Sequence, residues 1–495
     1  MLDQVAIDRL RAQPVAAQSH FIDGAWRASS DEATLPIESP IDGSALTTIA
    51  AGGAAEVDVA VAAARSVFAA GSWSRAAPAH RKKVLTRLAD LIEAHALELA
   101  VLGVRDNGTE ISMAYKAEPL SAAGTFRYYA EATDKVYGEV APTAPSHLGL
   151  VHRAPIGVVG VIVPWNFPMM IAAWKVAPAL AAGNSVVLKP AEIASLSLLR
   201  LAELAAEAGL PDGVLNVVTG KGSIVGEAIG LHMDVDVLAF TGSGAVGRRL
   251  LDYAARSNIK RVYLELGGKS PNIIFADAPD LKQAAKVSAG GIFRNSGQVC
   301  VAGSRLIVEA PAYDEVLEHL TAAAEALTVG NPLSLASDIG AISSAVQLAQ
   351  NLDFVEGARA EGGVVRTGGG QLLAESGGYY MAPTIVENVA PHMTLARQEV
   401  FGPVLAVTRF EGAEEAVAIA NDSDFGLASA VWTSNLSTAH KMIGDIRAGT
   451  VFVNTYGGAD ITTPMGGVKQ SGNGHDKSLH ALDKYVDLKT AWIAL

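Results

Sequence analysis

Apolar positions along this chain follow two rhythms. Phe21-Ile22-Asp23-Gly24-Ala25-Trp26 reads as a hairpin, with Asp23-Gly24 supplying the positive φ angles of a type I′ turn. Val84, Leu88, Leu91, Ile92, Leu99 and Leu102 recur at helical spacing and predict one amphipathic helix over residues 81–103. From residue 156 short continuous apolar runs take over. Ile156–Val163 is rich in β-branched residues, as in a strand buried on both faces. Pro168 suits the first turn of a helix that runs to about Ala182 and stops at Gly183-Asn184. Ser185–Leu188 predicts a second strand, Ser195–Ala208 a helix, and Val214–Val218 a third strand followed by a short helix from about Ser223. Val235–Phe240, Ala245–Ala255 and Arg261–Leu266 then read as strand, helix and strand. Such alternation implies a parallel sheet with right-handed crossovers.

A second α/β region is expected from about 270 to 465, with Thr450–Val453 as one of its buried strands. Val136–Ala154 contains Pro142 and Pro145 and reads as an extended arm or linker. Tyr485–Leu495 is β-prone and is expected to be tied down by pairing, a partner subunit being one candidate.

Composition narrows the function. The length of 495 residues predicts two to four domains, and 50% apolar with 18% charged residues suits a buried core rather than disorder. The net charge is −13, from 38 basic and 51 acidic residues, so nothing points to nucleic acid or an anionic membrane. The uncharged run Ile156–Trp174 is long enough for a membrane span, but Pro164, Asn166 and Pro168 break it into strand and helix. The opening MLDQVAIDRLRAQP has no apolar stretch, so no signal peptide is expected. One cysteine cannot form a disulfide within the chain, and a cytoplasmic location is the expectation.

That cysteine, Cys300, lies in Asn295-Ser296-Gly297-Gln298-Val299-Cys300. A lone cysteine is commonly a small buried hydrophobe. The amide and glycine content here is poor core material, and it favours a loop where a thiol can be reached by substrate. Such a thiol needs a neighbouring base or a helix N-terminus to ionise. Glu265 ends a strand that otherwise reads as buried, so it either pairs, with Lys269 as the near candidate, or works. Gly242-Ser243-Gly244-Ala245-Val246-Gly247 matches G-x-G-x-x-G between a strand and a helix. It is either a pyrophosphate cradle, with Glu265 in the place of the ribose-binding acid, or a plain glycine-rich turn. Lys189 and Glu192 follow a strand end, where they can bond ribose hydroxyls or form an exposed turn. Asn166 offers a neutral donor for an oxyanion, or a helix cap. No histidines have metal-ligand spacing; His147/His152 and His475/His480 read as solvated surface, and no metal is expected.

Seven segments taken in order, PWNFP (164–168), KPAE (189–192), FTGS (240–243), LELGGK (264–269), GQVC (297–300), QEVFGPV (398–404) and KQSG (469–472), resemble the motifs of the aldehyde dehydrogenase superfamily over nearly the whole chain. The resemblance implies two doubly wound α/β domains with a β oligomerisation arm. A Rossmann-like cofactor domain would span 1–132 and 156–267, a catalytic domain 268–467, and the oligomerisation arm and tail 133–155 with 468–495. A homo-oligomer, dimer or tetramer, would follow. The resemblance also implies that Cys300 is the nucleophile, Asn166 the oxyanion donor and Glu265 the base, which replaces the ribose reading of Glu265. Lys189 and Glu192 would contact the adenosine ribose. Trp165, Gly242, Ser243, Gly247 and Leu266 would line the cofactor groove, and Glu399 and Phe401 would hold the nicotinamide end. Met169, Met170, Trp174, Val299, Val301 and Met465 would line the substrate tunnel, with methionine admitting varied apolar tails.

The implied reaction takes an aldehyde to its carboxylic acid with NAD⁺, through a cysteine thiohemiacetal and a thioester that Glu265-activated water hydrolyses. Glutamate at 265 speaks against transfer of the acyl group to coenzyme A. A carboxylate at 192 favours NAD⁺ over NADP⁺, although Lys189 can accept a 2′-phosphate if Glu192 swings away. Within the superfamily, AEATDKVYGEV (130–140), AGLPDGVLNVVTG (208–220) and KQSGNGHDKSLHALDKY (469–485) resemble bacterial γ-glutamyl-γ-aminobutyraldehyde dehydrogenases, so an ω-aminoaldehyde is one expected substrate. Met465 in place of the usual Phe, and His475 in place of Arg beside Asp476, depart from the superfamily pattern and leave a broad aliphatic or aromatic specificity open. Glu118 and Asp460 read either as solvated surface or as acids near the tunnel mouth that would meet a cationic tail. Two other readings remain: a retired NAD-binding structural protein, and an alcohol or hydroxyacid dehydrogenase in which Cys300 is idle.

Overall fold

Five strands, 158–162, 185–189, 215–217, 237–241 and 261–265, run parallel, and most of their residues are buried. The computed structural model describes residues 2–495. These strands lie in the spatial order third, second, first, fourth, fifth, so the winding reverses between 158–162 and 237–241. The hairpin 20–22/25–27 extends one edge, and Gly472-Asn473 pairs antiparallel with 261–265 at the other. Asp23 and Gly24 turn that hairpin with φ of 56° and 71°. The uncharged run resolves into the strand 158–162 and the helix Pro168–Ala182, which Gly183 closes at φ 100°. Among the described residues no helix is long and apolar enough to cross a membrane.

A second sheet takes strands 364–367, 384–387, 404–410, 305–309, 271–274, 428–432 and 450–453 in that spatial order, all parallel except the first. One apolar core joins the two sheets, from Val159 and Val161 to Leu306 and Leu405. The α/β architecture expected from the strand–helix alternation is therefore present, with boundaries in 156–266 displaced by no more than two residues.

Three local expectations are corrected. The single helix over 81–103 is two helices, Pro78–Ala94 and Ala96–Asn107, broken at His95, whose ψ of 14° leaves the helical range. His95 Nδ1 lies 2.7 Å from Glu98 Oε2 in the first turn of the second helix, and Leu88, Ile92 and Leu99 are buried on both sides of the break. The apolar spacing therefore persists across a joint it cannot reveal. The short helix from about Ser223 begins as a π-turn, Gly222–Gly226, before the α-turn Glu227–Leu231. The tail strand Val486–Ala494 needs no partner subunit to pair. It lies antiparallel to His147–Pro155 of its own chain, which in turn pairs with Glu139–Ala141.

Candidate active site

The reversal of strand order opens a crevice beyond the carboxyl ends of 158–162 and 237–241, where open α/β sheets bind ligands. Pro164, Trp165 and Asn166 leave one strand end; Thr241, Gly242 and Ser243 leave the other. With Ile171, Leu266, Gly267, Cys300, Gln347, Glu399 and Phe401 they line a cleft. Ser243 caps the helix Gly244–Arg256 by accepting from Val246 N.

The Cys300 segment is folded by its amides. Asn295 and Ser296 take left-handed backbone (φ 49° and 52°), a costly choice outside glycine. The turn is held from outside: Asn295 N donates to Glu110 Oε1 at 3.0 Å, Thr109 Oγ1 donates to Asn295 Oδ1 at 2.8 Å, and Gln298 Oε1 accepts from Ser343 N at 2.9 Å. Poor core residues are buried here because their polar groups are satisfied. Gly268 lets this segment close on the first sheet, since a Cβ there would stand 2.6 Å from the Cys300 carbonyl oxygen.

Cys300 is half-buried in the cleft wall. Burial, with the Glu399 and Glu265 carboxylates nearby, pushes its thiol up to about 12, so the resting sulfur is protonated. Asn166 is buried; its Nδ2 donates to Gln298 O at 2.8 Å, and its Oδ1 has no protein partner. The N-cap position of the next helix is Phe167, so Asn166 is not a cap. One amide N–H anchors the side chain, the second has no protein partner, and the residue lines the cleft. Trp165 and Phe401 meet edge to face with centroids 5.3 Å apart, Phe401 at φ 57°.

Glu399 Oε1 accepts from Gly268 N at 2.9 Å, and burial raises this carboxyl to about 7. Lys269 is buried with no partner for its ammonium, and burial lowers it to about 7. Glu265 is buried with both carboxylate oxygens unpartnered, so it makes no ion pair with Lys269. Burial and the Asp476 charge push Glu265 well above the usual carboxylate range, against the pull of Lys175 and Lys484. At the next strand end, Lys189 Nζ donates to Pro190 O at 2.9 Å and to Glu192 Oε2 at 3.1 Å.

A sequence model of the aldehyde dehydrogenase family matches residues 26–491. The chain belongs to the aldehyde dehydrogenase family. It is an NAD(P)-dependent enzyme of aldehyde oxidation. The NADP/NAD-dependent aldehyde dehydrogenase PuuC of Escherichia coli (strain K12) is 50% identical over 475 residues, covering 96% of this chain and 95% of that protein. The crystal structure of γ-glutamyl-γ-aminobutyraldehyde dehydrogenase from Burkholderia cenocepacia J2315 is similar at a TM-score of 0.98 and 50% identity, covering 100% of each chain. The indole-3-acetaldehyde dehydrogenase AldA of P. syringae, in complex with NAD⁺ and IAA, reaches 0.98 at 48% identity, also over 100% of each chain.

The remaining candidate residues of this aldehyde dehydrogenase are distributed unevenly. Gly242, Ser243 and Leu266 line the cleft, whereas Gly247 faces Leu266 and Leu264 inside the core, where a Cβ would meet Leu266 at 3.0 Å. Met170, Trp174 and Val301 are half-buried, and each packs against the main core. Met169 is buried within that core, and Val299 lines a small void with Ile292 and Ala302 on the far side of Glu399. Met465 is half-buried and pairs by backbone with Asp476.

Glu118 is buried, not solvated surface. The π-turn Lys116–Leu120 around Pro119 turns it inward, where Oε2 accepts from Met170 N at 2.8 Å and burial raises the carboxyl to about 8. Asp460 is exposed, with the Lys477 charge close by. Sequence reasoning missed Gln347 and Thr241 in the cleft wall, and missed Lys175 and Lys484, which flank Asp476 beside Glu265. Lys175 carried a signal: it is the only charge in the otherwise apolar helix Pro168–Ala182.

Proposed function

We propose that this dehydrogenase converts an aldehyde to its carboxylic acid with NAD⁺ through a covalent intermediate on Cys300. The observation that carries the reading is the chain's one thiol standing in the cleft wall beside the Asn166 amide. The cleft suits a dinucleotide. The buried Thr241 hydroxyl is unpartnered, and the bare backbone of Gly267 leaves room for Glu399, whose Oε2 would lie 2.0 Å from a Cβ there. Glu399, Phe401, Trp165 and Ser243 would hold the nicotinamide and pyrophosphate parts, and Lys189 with Glu192 the adenosine ribose. When bound, the oxidised nicotinamide supplies a hydride acceptor and a positive charge beside the thiol.

In this reading the Cys300 thiol passes its proton to water in the cleft, and its sulfur bonds to the carbonyl carbon. The oxygen becomes an alkoxide, held by the free Asn166 N–H and the Cys300 backbone N–H. Reformation of the carbonyl expels hydride from that carbon and leaves a thioester on Cys300. Glu265 takes a proton from water, the hydroxide oxygen bonds to the thioester carbon, and the sulfur leaves as the acid is released. The Glu192 carboxylate disfavours a 2′-phosphate, while its exposed position leaves NADP⁺ admissible.

The named substrates of the relatives support two tails. The Burkholderia enzyme points to an ω-aminoaldehyde. The P. syringae enzyme, together with the apolar packing of Met170, Trp174 and Val301, supports an aromatic or aliphatic one. Exposed Val140, Leu488 and Trp492 on the arm sheet, with exposed Tyr137 just before it, support a homo-oligomer built through that sheet. The test is a panel of aminoaldehydes, indole-3-acetaldehyde and simple aliphatic aldehydes, followed by NADH absorbance. Cys300→Ala is expected to abolish NADH formation on all of them while NADH still binds by fluorescence titration. Retained turnover in that variant overturns the reading.

A further inference from the structure

Behind Glu265, away from the cleft, four charges are packed out of water. Lys175, Lys484, Asp476 and Glu265 are 1%, 4%, 0% and 7% exposed. Lys175 Nζ lies 2.5 Å from Asp476 Oδ2, and Lys484 Nζ bonds to the other oxygen, Oδ1. The Lys484 ammonium also stands 5.9 Å from the Tyr263 ring centroid and 5.4 Å from that of Tyr485, within cation–π range of both. Lys175 comes from the helix after the first strand, Glu265 from the fifth strand, and Asp476 and Lys484 from the segment that follows the edge strand Gly472-Asn473. The remaining ionisable groups facing the cluster are the phenols of Tyr129, Tyr263 and Tyr485, with Cys300 on the cleft side and exposed His475 near Gly466.

Counting charge assigns the second lysine a purpose. Lys175 and Asp476 alone are already neutral. Adding an ionised Glu265 to that pair would bury a net negative charge, which is costly. With Lys484 present, two ammonium groups face Asp476, and the cluster is neutral only when Glu265 is ionised. We propose that Lys484 is the counter-charge of Glu265, a positioning residue that lets the base keep its negative charge inside the protein. No hydrogen bond links them, since both Glu265 oxygens are unpartnered and stay free for water. The effect passes through space and through the shared Asp476. Burial alone would raise Asp476, yet the two lysines hold it below the usual carboxylate range, so it stays the negative hub of the group. Lys484 pulls Glu265 down in the same direction.

This inference rests on the reading of Glu265 as the base, and the test separates the two. Steady-state kcat against pH, and the single-turnover NADH burst, are measured for the wild type, Lys484→Met, Lys484→Arg and Glu265→Gln. Removing a cation raises the pH at which Glu265 ionises, so less base is present at a given pH on the acid limb. In Lys484→Met that limb is expected to move up by about one pH unit, about tenfold in rate on the limb. The burst and the KM for NAD⁺ stay unchanged, and Lys484→Arg restores the wild-type profile. A uniform loss at every pH, or an unmoved limb, overturns the counter-charge role. Lys484→Gln replaces the Met variant if that one is insoluble. Independently of turnover, infrared titration of the cofactor-free enzyme reads the protonated carboxyl band that Glu265→Gln removes. Its midpoint is expected to be higher in Lys484→Met, and equal midpoints overturn the inference. If Glu265→Gln leaves turnover intact, the base reading fails while the infrared midpoint still decides the role of Lys484.

Discussion

Gly268→Ala asks how tightly the proposed nucleophile, Cys300, is seated in this aldehyde dehydrogenase. The added Cβ would lie 2.6 Å from the Cys300 carbonyl oxygen and 3.3 Å from Leu427 Cβ. Ordinary contact begins near 3.4 Å, so the Cys300 carbonyl must retreat by about 0.8 Å, the difference between the two distances. The obstructing atom is backbone and cannot swing aside, and Leu427 closes the alternative direction. A reacting group displaced by about 1 Å loses on the order of 10²-fold in rate. Turnover should therefore fall by about 10²-fold, with the KM for NAD⁺ nearly unchanged, as measured by NADH formation under saturating aldehyde.

The neighbouring Gly267→Ala is the control. Its Cβ would meet Glu399 Oε2 at 2.0 Å, the end of a flexible side chain that can turn away from its 2.9 Å bond to Gly268 N. That variant should chiefly raise the KM for NAD⁺, by about tenfold, through loss of one charge-assisted hydrogen bond. A Gly268→Ala enzyme within about threefold of wild-type kcat would refute the argument that backbone contact seats the thiol.

Glu192→Gln removes the like charge that a 2′-phosphate would meet. The ratio of kcat/KM for NADP⁺ over NAD⁺ should rise by about tenfold, the modest size reflecting a carboxylate partly in solvent. Asp476→Asn leaves Lys175 and Lys484 buried without their shared anion. It should destabilise the fold by about 3–5 kcal/mol, seen as a lower apparent Tm, and an unchanged Tm would refute the pairing.

The parallel sheet was legible because strands buried on both faces leave unbroken apolar runs, and because Pro168 and Gly183 punctuate a helix in plain view. His95 was not legible: the apolar spacing runs straight through the break, and only the backbone angle reveals it. Glu118 misled for a related reason. An acid beside a proline looks solvated, but the π-turn at 116–120 rotates it inward onto Met170 N. The tail strand was recognisable as a strand, whereas its partner was not, since Val486–Ala494 and His147–Pro155 lie far apart in the chain. Cys300 and Asn166 stood out by composition, and the structure puts both on one cleft. The charged group behind Glu265 stayed hidden because its members come from three separate stretches of chain, and only Lys175 breaks a local pattern.

The edge strand Gly472-Asn473 has a bearing on when this enzyme comes into being. Asn473 docks on Leu264, 209 positions earlier in the chain, and Lys484 arrives later still. A ribosome that has delivered Cys300, Asn166 and Glu265 has yet to deliver Asp476 and Lys484, two of the three charges packed behind that carboxylate. The carboxylate proposed as the base therefore gains its full charged surroundings only when the chain is nearly complete.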